Sequence, residues 1–368
     1  MTVPLFDCRP SDAAVRALDP VWRSGQLAAG PAVTALESRL GAYLDGREIV
    51  AMSDMTQALA LALRLAGVRP GDEVVTLAMN CMSSNSAVAM VGAVPVWVDV
   101  DPETASVDLV DLAACFTGRT RAVVVYHLAG YVGDLQAIRR MCDAAGVAFI
   151  EDANNAFGAD FGGQRAGTFG DYAVLSFYAN RQLNGIEGAA LVCKNADDAQ
   201  RARKLRRFGI DIARFRTPDG EIDPDLDVPE IGIASSLSNV NATLAECAMD
   251  DVDVRIQRNR THAARLSRAL TNIPGFRLIG QRSGANGVYW VALAMSQNRN
   301  RLMTGLKALG IQCSRLHQRN DRYTGFQAMP RHLPGTTHME REMLALPSGW
   351  WLSDEDVDRM VTAVRATA

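Results

Sequence analysis

The chain has 368 residues, 48% of them apolar, enough for a sizeable core and roughly two or three domain-sized units. A formal net charge of −3 and a pI near 6.0 argue against a nucleic-acid binder or an anionic-membrane binder. Of the 38 basic residues only Lys194, Lys204 and Lys307 are lysines, so chemistry that needs a lysine has three candidates. The 7 cysteines are scattered and odd in number, with no C-x-x-C. They predict a reduced, cytoplasmic protein with no disulfide framework and no metal site. The first residues, MTVPLFDCRPSD, lack the charged-then-apolar order of a signal peptide. No stretch approaches the ~20 apolar residues of a membrane helix.

In chain order, Val33, Leu36, Leu40 and Leu44 recur at helical spacing and predict an amphipathic helix over Val33–Asp45. Thr56–Ala66 is apolar nearly all round and predicts a buried helix. The turn Pro70-Gly71-Asp72 introduces a strand at Glu73–Leu77. A helix over Ser83–Val91 and a strand over Val94–Val100 follow. Arg121–Tyr126 reads as a strand, Asp134–Ala145 as a helix and Ala148–Glu151 as a strand. Tyr172–Phe177 and Ala189–Cys193 complete the strand set. Continuous Val-rich strands alternating with helices predict a mostly parallel sheet covered on both faces. Residues 209–232 carry Pro218, Gly220, Pro224 and Pro229 among acids and read as a flap. Ser238–Leu270 reads as one long helical region, and 275–368 as a smaller α+β unit. The expected division is 1–235 for the large domain and 236–368 for the long helix and small C-terminal domain.

Several blocks carry a resemblance. GQLAAGPAVTALESRLGAYLDG (25–46), PGDEVVTL (70–77), VGAVPVWVDVDPETASVD (91–108), YHLAGYVGDLQAI (126–138), IEDANNAFGADFGGQRAGTFGD (150–171) and LSFYANRQLNGIEGAALV (175–192) occur in that order. HQRNDRYTGF (317–326) and LPSGWW (346–351) follow. Together they resemble the DegT/DnrJ/EryC1/StrS family of sugar aminotransferases over nearly the whole chain. The resemblance implies an α/β aminotransferase-like fold of type I. Its large domain holds a mostly parallel seven-stranded sheet, followed by a smaller C-terminal α+β domain. It also implies a homodimer and a pyridoxal-phosphate pocket. Such a pocket needs an imine-forming lysine, a carboxylate for the pyridine nitrogen, a stacking aromatic and a helix N-terminus for the phosphate.

This chain departs from that pattern. Asp152 matches the carboxylate, Asn155 takes the place of the glutamine after it, and Ser176 matches the phosphate-contacting serine. Arg181 falls where the lysine is expected, and a guanidinium with a pKa above ~12 is a poor imine-forming nucleophile. The family's S-G-T-x-A-L becomes Asp54-Met55-Thr56-Gln57-Ala58-Leu59, which sets a carboxylate against a phosphate dianion; Asp54 could equally N-cap the helix that follows. The aromatic position is Asn80-Cys81, where Cys81 reads as a small buried thiol or a nucleophile. The partner-crossing motif G-x-N-x-R-M-S becomes Gly232-Ile233-Ala234-Ser235-Ser236-Leu237-Ser238.

The expectation is therefore a repurposed pocket with no cofactor, acting on a small biosynthetic intermediate. Asp152, Arg181 and His317 are the catalytic candidates. Asp54, Thr56, Asn80, Asn155, Ser176, Tyr178, Asn184, Arg319, Asn320 and Tyr323 are the substrate-binding candidates. His127 and Glu187 are further acid–base candidates, although His127 equally suits a packing role. A buried Asp152 without a pyridinium needs a cation, so an ion pair from Arg181 to Asp152 or Asp54 is expected. The alternatives are an enzyme that holds pyridoxamine 5'-phosphate non-covalently through Thr56, Asp152 and Ser176, and a non-catalytic dimer partner of an active relative.

Overall fold

The computed structural model describes residues 2–368. Seven strands form the main sheet, in the order Glu48–Met52, Ala189–Cys193, Tyr172–Ser176, Ala148–Asp152, Thr120–Tyr126, Glu73–Leu77 and Val94–Val98. All neighbours are parallel except those of Ala189–Cys193, which runs antiparallel to both flanking strands. The alternation of side chains along a strand explains why these runs are apolar throughout. Val75, Leu77, Val123, Val125, Phe149 and Leu175 enter one buried cluster. Val74, Ala122, Val124, Ile150, Val174 and Leu191 enter another on the opposite face.

Helix Met55–Leu65 covers the second face with Ala58, Leu59, Ala62 and Leu63, joined by Ala196–Leu205. Helices Pro31–Tyr43 and Leu135–Ala145 cover the first with Leu36, Leu40, Leu135 and Ile138. The expected long helical region is two helices, Asn239–Ala248 and Val252–Ala269, with Met249–Asp251 between them. Residues 209–232 contain little regular structure, with one short 3-10 turn at Ile212–Arg214 and mostly exposed or half-buried side chains.

A three-stranded antiparallel sheet of Phe276–Leu278, Ala292–Ser296 and Met343–Leu346 organises the C-terminal region. Leu302 and Leu306, Val357 and Met360, and Leu266 pack there from three helices. Val3 joins the same cluster, because its N–H donates to the Gly310 carbonyl at 2.9 Å and its carbonyl accepts from Gln312 at 3.0 Å. Among the described residues no helix is long and apolar enough to cross a membrane.

Candidate active site

The sheet's connectivity selects its carboxyl edge. From Glu73–Leu77 the chain passes to the outer strand Val94–Val98, then returns to the other side as Thr120–Tyr126. Such a reversal opens a crevice beyond the strand ends. Tyr126 and Asp152 are the last residues of their strands and face each other in register. Ser176 ends the next strand, and Arg181 sits in the loop leading from it to the antiparallel strand. That loop is closed at its base by Phe177 N–H to Gly188 O and Gly185 N–H to Phe177 O, both 2.8 Å.

Asp152 is fully buried. Its Oδ2 accepts from the Ser84 hydroxyl, and its Oδ1 accepts from the Asn154 amide side chain at 2.8 Å. Burial raises its pKa above the usual carboxylate value, and the hydrogen bonds from Ser84 and Asn154 oppose that shift without cancelling it. The Arg181 guanidinium is largely buried. It lies over the Trp290 ring at 4.6 Å and donates to the side chains of Asn180 and Asn154, the latter at 3.2 Å. The direct ion pair expected for Arg181 does not form. Asn154 stands between the charges, accepting from Arg181 through Oδ1 and donating to Asp152 through Nδ2. An amide can do both at once, which a carboxylate cannot. Asp54 is exposed and caps helix Met55–Leu65 through Gln57 N–H at 2.8 Å, so it takes the capping role instead of pairing with Arg181.

His317 reaches the same edge from the C-terminal region. Its Nε2 lies 2.9 Å from the Tyr126 hydroxyl, which also accepts from the Asn155 amide. Burial, then the nearby Arg181 charge, pull the imidazole pKa down to about 4. Burial, with Cys81 and Asp152 nearby, pushes the Tyr126 hydroxyl well above its usual value. Both groups are therefore neutral near neutral pH. With Asn155 donating to the tyrosine oxygen, the tyrosine proton is left to point at Nε2. Three buried polar atoms in this group make no hydrogen bond: Asn80 Oδ1, Asn155 Oδ1 and Arg181 Nε. Buried polar atoms in folded proteins are rarely left so, and each calls for a reason.

The remaining candidates divide. Asn80 and Asn320 belong to a buried amide network centred on Asn85, which donates to Asn320 Oδ1 at 3.0 Å and accepts from Asn80 at 3.3 Å. Asn320 also donates to the Asn80 carbonyl at 3.1 Å. Thr56 and Ser176 are half-buried, and Ser176 accepts from the Tyr178 N–H at 3.3 Å. Tyr178 and Tyr323 are exposed. Asn184 accepts from the Ile186 N–H of its own loop at 2.7 Å and donates to the Cys8 carbonyl at 3.2 Å. Arg319 is spent on Asp321 at 2.6 Å and Thr337 at 3.0 Å. His127 packs against Glu151 at 3.1 Å, and Glu187 is exposed. Cys81 is half-buried. Ser84, Asn85, Tyr126, Asn154 and Trp290 were not singled out from sequence. Asn154, beside Asp152 in the 150–171 block, and Tyr126, which opens the 126–138 block, offered a signal there.

The lysines lie elsewhere. Lys194 follows the antiparallel strand, so it emerges at the opposite edge of the sheet, 3.4 Å from Asp171. Lys204 pairs with Asp211 at 2.9 Å. Lys307 is on helix Arg299–Ala308 of the C-terminal region.

A doubly covered, mostly parallel sheet with the buried Asp152 at the carboxyl end of its middle strand defines an aminotransferase-like architecture. The chain belongs to the DegT/DnrJ/EryC1/StrS aminotransferase family, whose profile matches residues 11–365. It is similar to the crystal structure of AtS13 from Actinomadura melliaura, at 31% identity over 100% of this chain and 99% of that one, with a TM-score of 0.94. The sugar aminotransferase CalS13 from Micromonospora echinospora matches at 30% identity over 99% of each chain, with a TM-score of 0.93. DesI, solved in the presence of its TDP-sugar product, matches at 28% identity over 100% of this chain and 93% of that one, with a TM-score of 0.87.

Proposed function

We propose that this family member has given up the lysine-bound cofactor and works as a cofactor-independent enzyme on a small biosynthetic intermediate, a nucleotide sugar or natural-product precursor. The observation that carries this reading is the cation at the carboxyl edge. It is Arg181, already stacked on Trp290 and bridged by Asn154 to Asp152, while all three lysines lie elsewhere. The residues present fit pyridoxal phosphate poorly. Arg181 does not form imines at neutral pH. Asp54 caps the Gln57 N–H and sets a carboxylate at the helix N-terminus that a phosphate would need. Both oxygens of Asp152 are engaged by Ser84 and Asn154.

Without that cofactor the edge still offers polar groups to a substrate. A neutral His317, whose Nε2 takes the Tyr126 proton, is suited to fix that hydroxyl in place. The Arg181 charge nearby is suited to stabilise negative charge that develops on a substrate. The unpartnered oxygens of Asn80 and Asn155 and the Arg181 Nε are groups that an occupant would satisfy. The family, and a relative described with its TDP-sugar product, support a substrate of that class.

The test is cofactor loading. Purified protein mixed with pyridoxal phosphate and reduced with borohydride is expected to give no stoichiometric pyridoxyl adduct by peptide mass spectrometry. A stoichiometric adduct on one lysine overturns the proposal. The retained Asp152 favours a second reading, non-covalent pyridoxamine phosphate, and saturable binding of that compound in a fluorescence titration would establish it instead.

A further inference from the structure

A cavity of about 360 Å³ lies beside His317. Arg299, Arg315, His317, Gln318, Arg322 and Glu340 line it. Its charge is unbalanced. Glu340 is already shared by Arg322 at 2.5 Å and Arg319 at 3.7 Å. Arg341, also on the wall, pairs with Glu342 at 2.6 Å. Arg299 and Arg315 have no acidic partner among the described residues. Instead both point at one neutral acceptor, the Asn300 side-chain oxygen, at 3.4 and 3.1 Å. Arg299 also donates to the main-chain carbonyl of Glu340.

Two guanidinium groups held at one amide oxygen repel each other, more strongly where water is partly excluded. Arg299 feels this directly, because burial and the Arg315 charge both lower its pKa. An arrangement that gathers unpaired planar cations around an open space suits an anion with several oxygens, since each guanidinium can donate two parallel hydrogen bonds to it.

We propose that this cavity is a phosphoanion site, in which Arg299 and Arg315 bind the phosphate or diphosphate group of a ligand next to His317. The site is independent of the cofactor question, because it shares no residue with Asp152, Asn154 or Arg181. His317 joins the two regions, since it lines the cavity and its Nε2 lies on Tyr126.

Titration calorimetry with inorganic pyrophosphate, and separately with a nucleoside diphosphate, tests the assignment. Saturable binding of at least one is expected, weakened at least tenfold by Arg299→Gln/Arg315→Gln. Arg315→Gln alone changes an exposed side chain, so its weaker binding must track the double variant even if the latter folds poorly. Asp152→Asn should bind the probe like the unmodified protein, which separates this site from the chemistry proposed at the sheet edge. Tight binding of the nucleoside diphosphate alone would identify a nucleotide-linked group as the source, and binding of both a phosphoanion in general. No saturable binding of either probe, or binding unchanged by the arginine substitutions, overturns the proposal.

Discussion

Asn154 is the residue on which the electrostatics of the sheet edge turn. It separates a buried acid from a buried cation and hydrogen-bonds to each. Asn154→Leu keeps a similar volume but leaves Asp152 Oδ1 and one Arg181 nitrogen without that partner. The expected loss is about 1–3 kcal/mol, read as a lower urea midpoint with an unchanged slope. His317 gives a prediction in pH. Its folded pKa of about 4 lies below the ordinary imidazole value of 6.5. Between those values the unfolded chain takes up a proton that the folded chain refuses, so stability falls as pH drops through that window. Asp152, with its raised pKa, acts in the opposite sense over acidic pH. Comparing melting temperatures of the unmodified protein and His317→Gln from pH 7 to 4 isolates the histidine. The variant should lose less stability on acidification, and identical profiles would contradict the assignment. The positions of Asp152 and Arg181 were legible in the sequence, since both lie in ordered blocks. Their connection was not. Opposite charges suggested a direct pair, whereas a neutral side chain that both donates and accepts satisfies two buried ions without bringing them together.

At the scale of single elements, the strand Ala148–Asp152 points its last two side chains to opposite faces. Asp152 faces the crevice. Glu151 accepts from the N–H groups of Gly167, Phe169 and Gly170 at 2.8–2.9 Å and contacts His127 at 3.1 Å. Glu151 therefore pins the 167–170 turn, and His127 belongs with it and not with the chemistry. Glu151→Gln turns an amide donor toward those N–H groups. It should cost about 2 kcal/mol or more, seen as a lower melting temperature. The strands from Glu73 to Cys193 were legible because Val-rich runs bounded by turn residues have one reading in a doubly covered sheet. Several elements were missed, two of them near the start of the chain. The strand Glu48–Met52 is a short apolar run, ambiguous by pattern alone. Helix Asp12–Ser24 has one buried residue, Ala14, and contains Pro20, which speaks against a helix in the sequence. The single long helix predicted over 238–270 breaks at Met249–Asp251, where no glycine or proline warned of it.

Across the whole molecule, the distribution of exposed apolar side chains is uneven. Phe208, Ile212, Ile222 and Ile231 are each more than half exposed and cluster in sequence in and beside the 209–232 excursion. Beside Ile231, Gly232 is held so close to the Leu205 carbonyl that a side chain there would collide with it. The excursion thus leaves the body of the protein at a fixed point while offering apolar surface outward, as interaction surfaces do. A homodimer is the expected use. Light scattering should give twice the chain mass, and Ile222→Asp/Ile231→Asp should move the population toward monomer. An unchanged mass in the double variant would place the interface elsewhere. The sequence marked this segment by its prolines and acids, but which of its side chains face solvent depends on contacts that no periodic pattern encodes.

The first eight residues have a consequence for the order in which the protein can be completed. Val3 docks beside Gly310 and Gln312, Phe6 stacks on Trp290 at 4.5 Å, and the Cys8 carbonyl accepts from Asn184. Trp290 is the ring on which Arg181 rests. During synthesis this stretch is made early, yet most of its partners emerge from the ribosome some 300 residues later. The large sheet can assemble in the meantime, but the support behind Arg181 waits until Trp290 has been made.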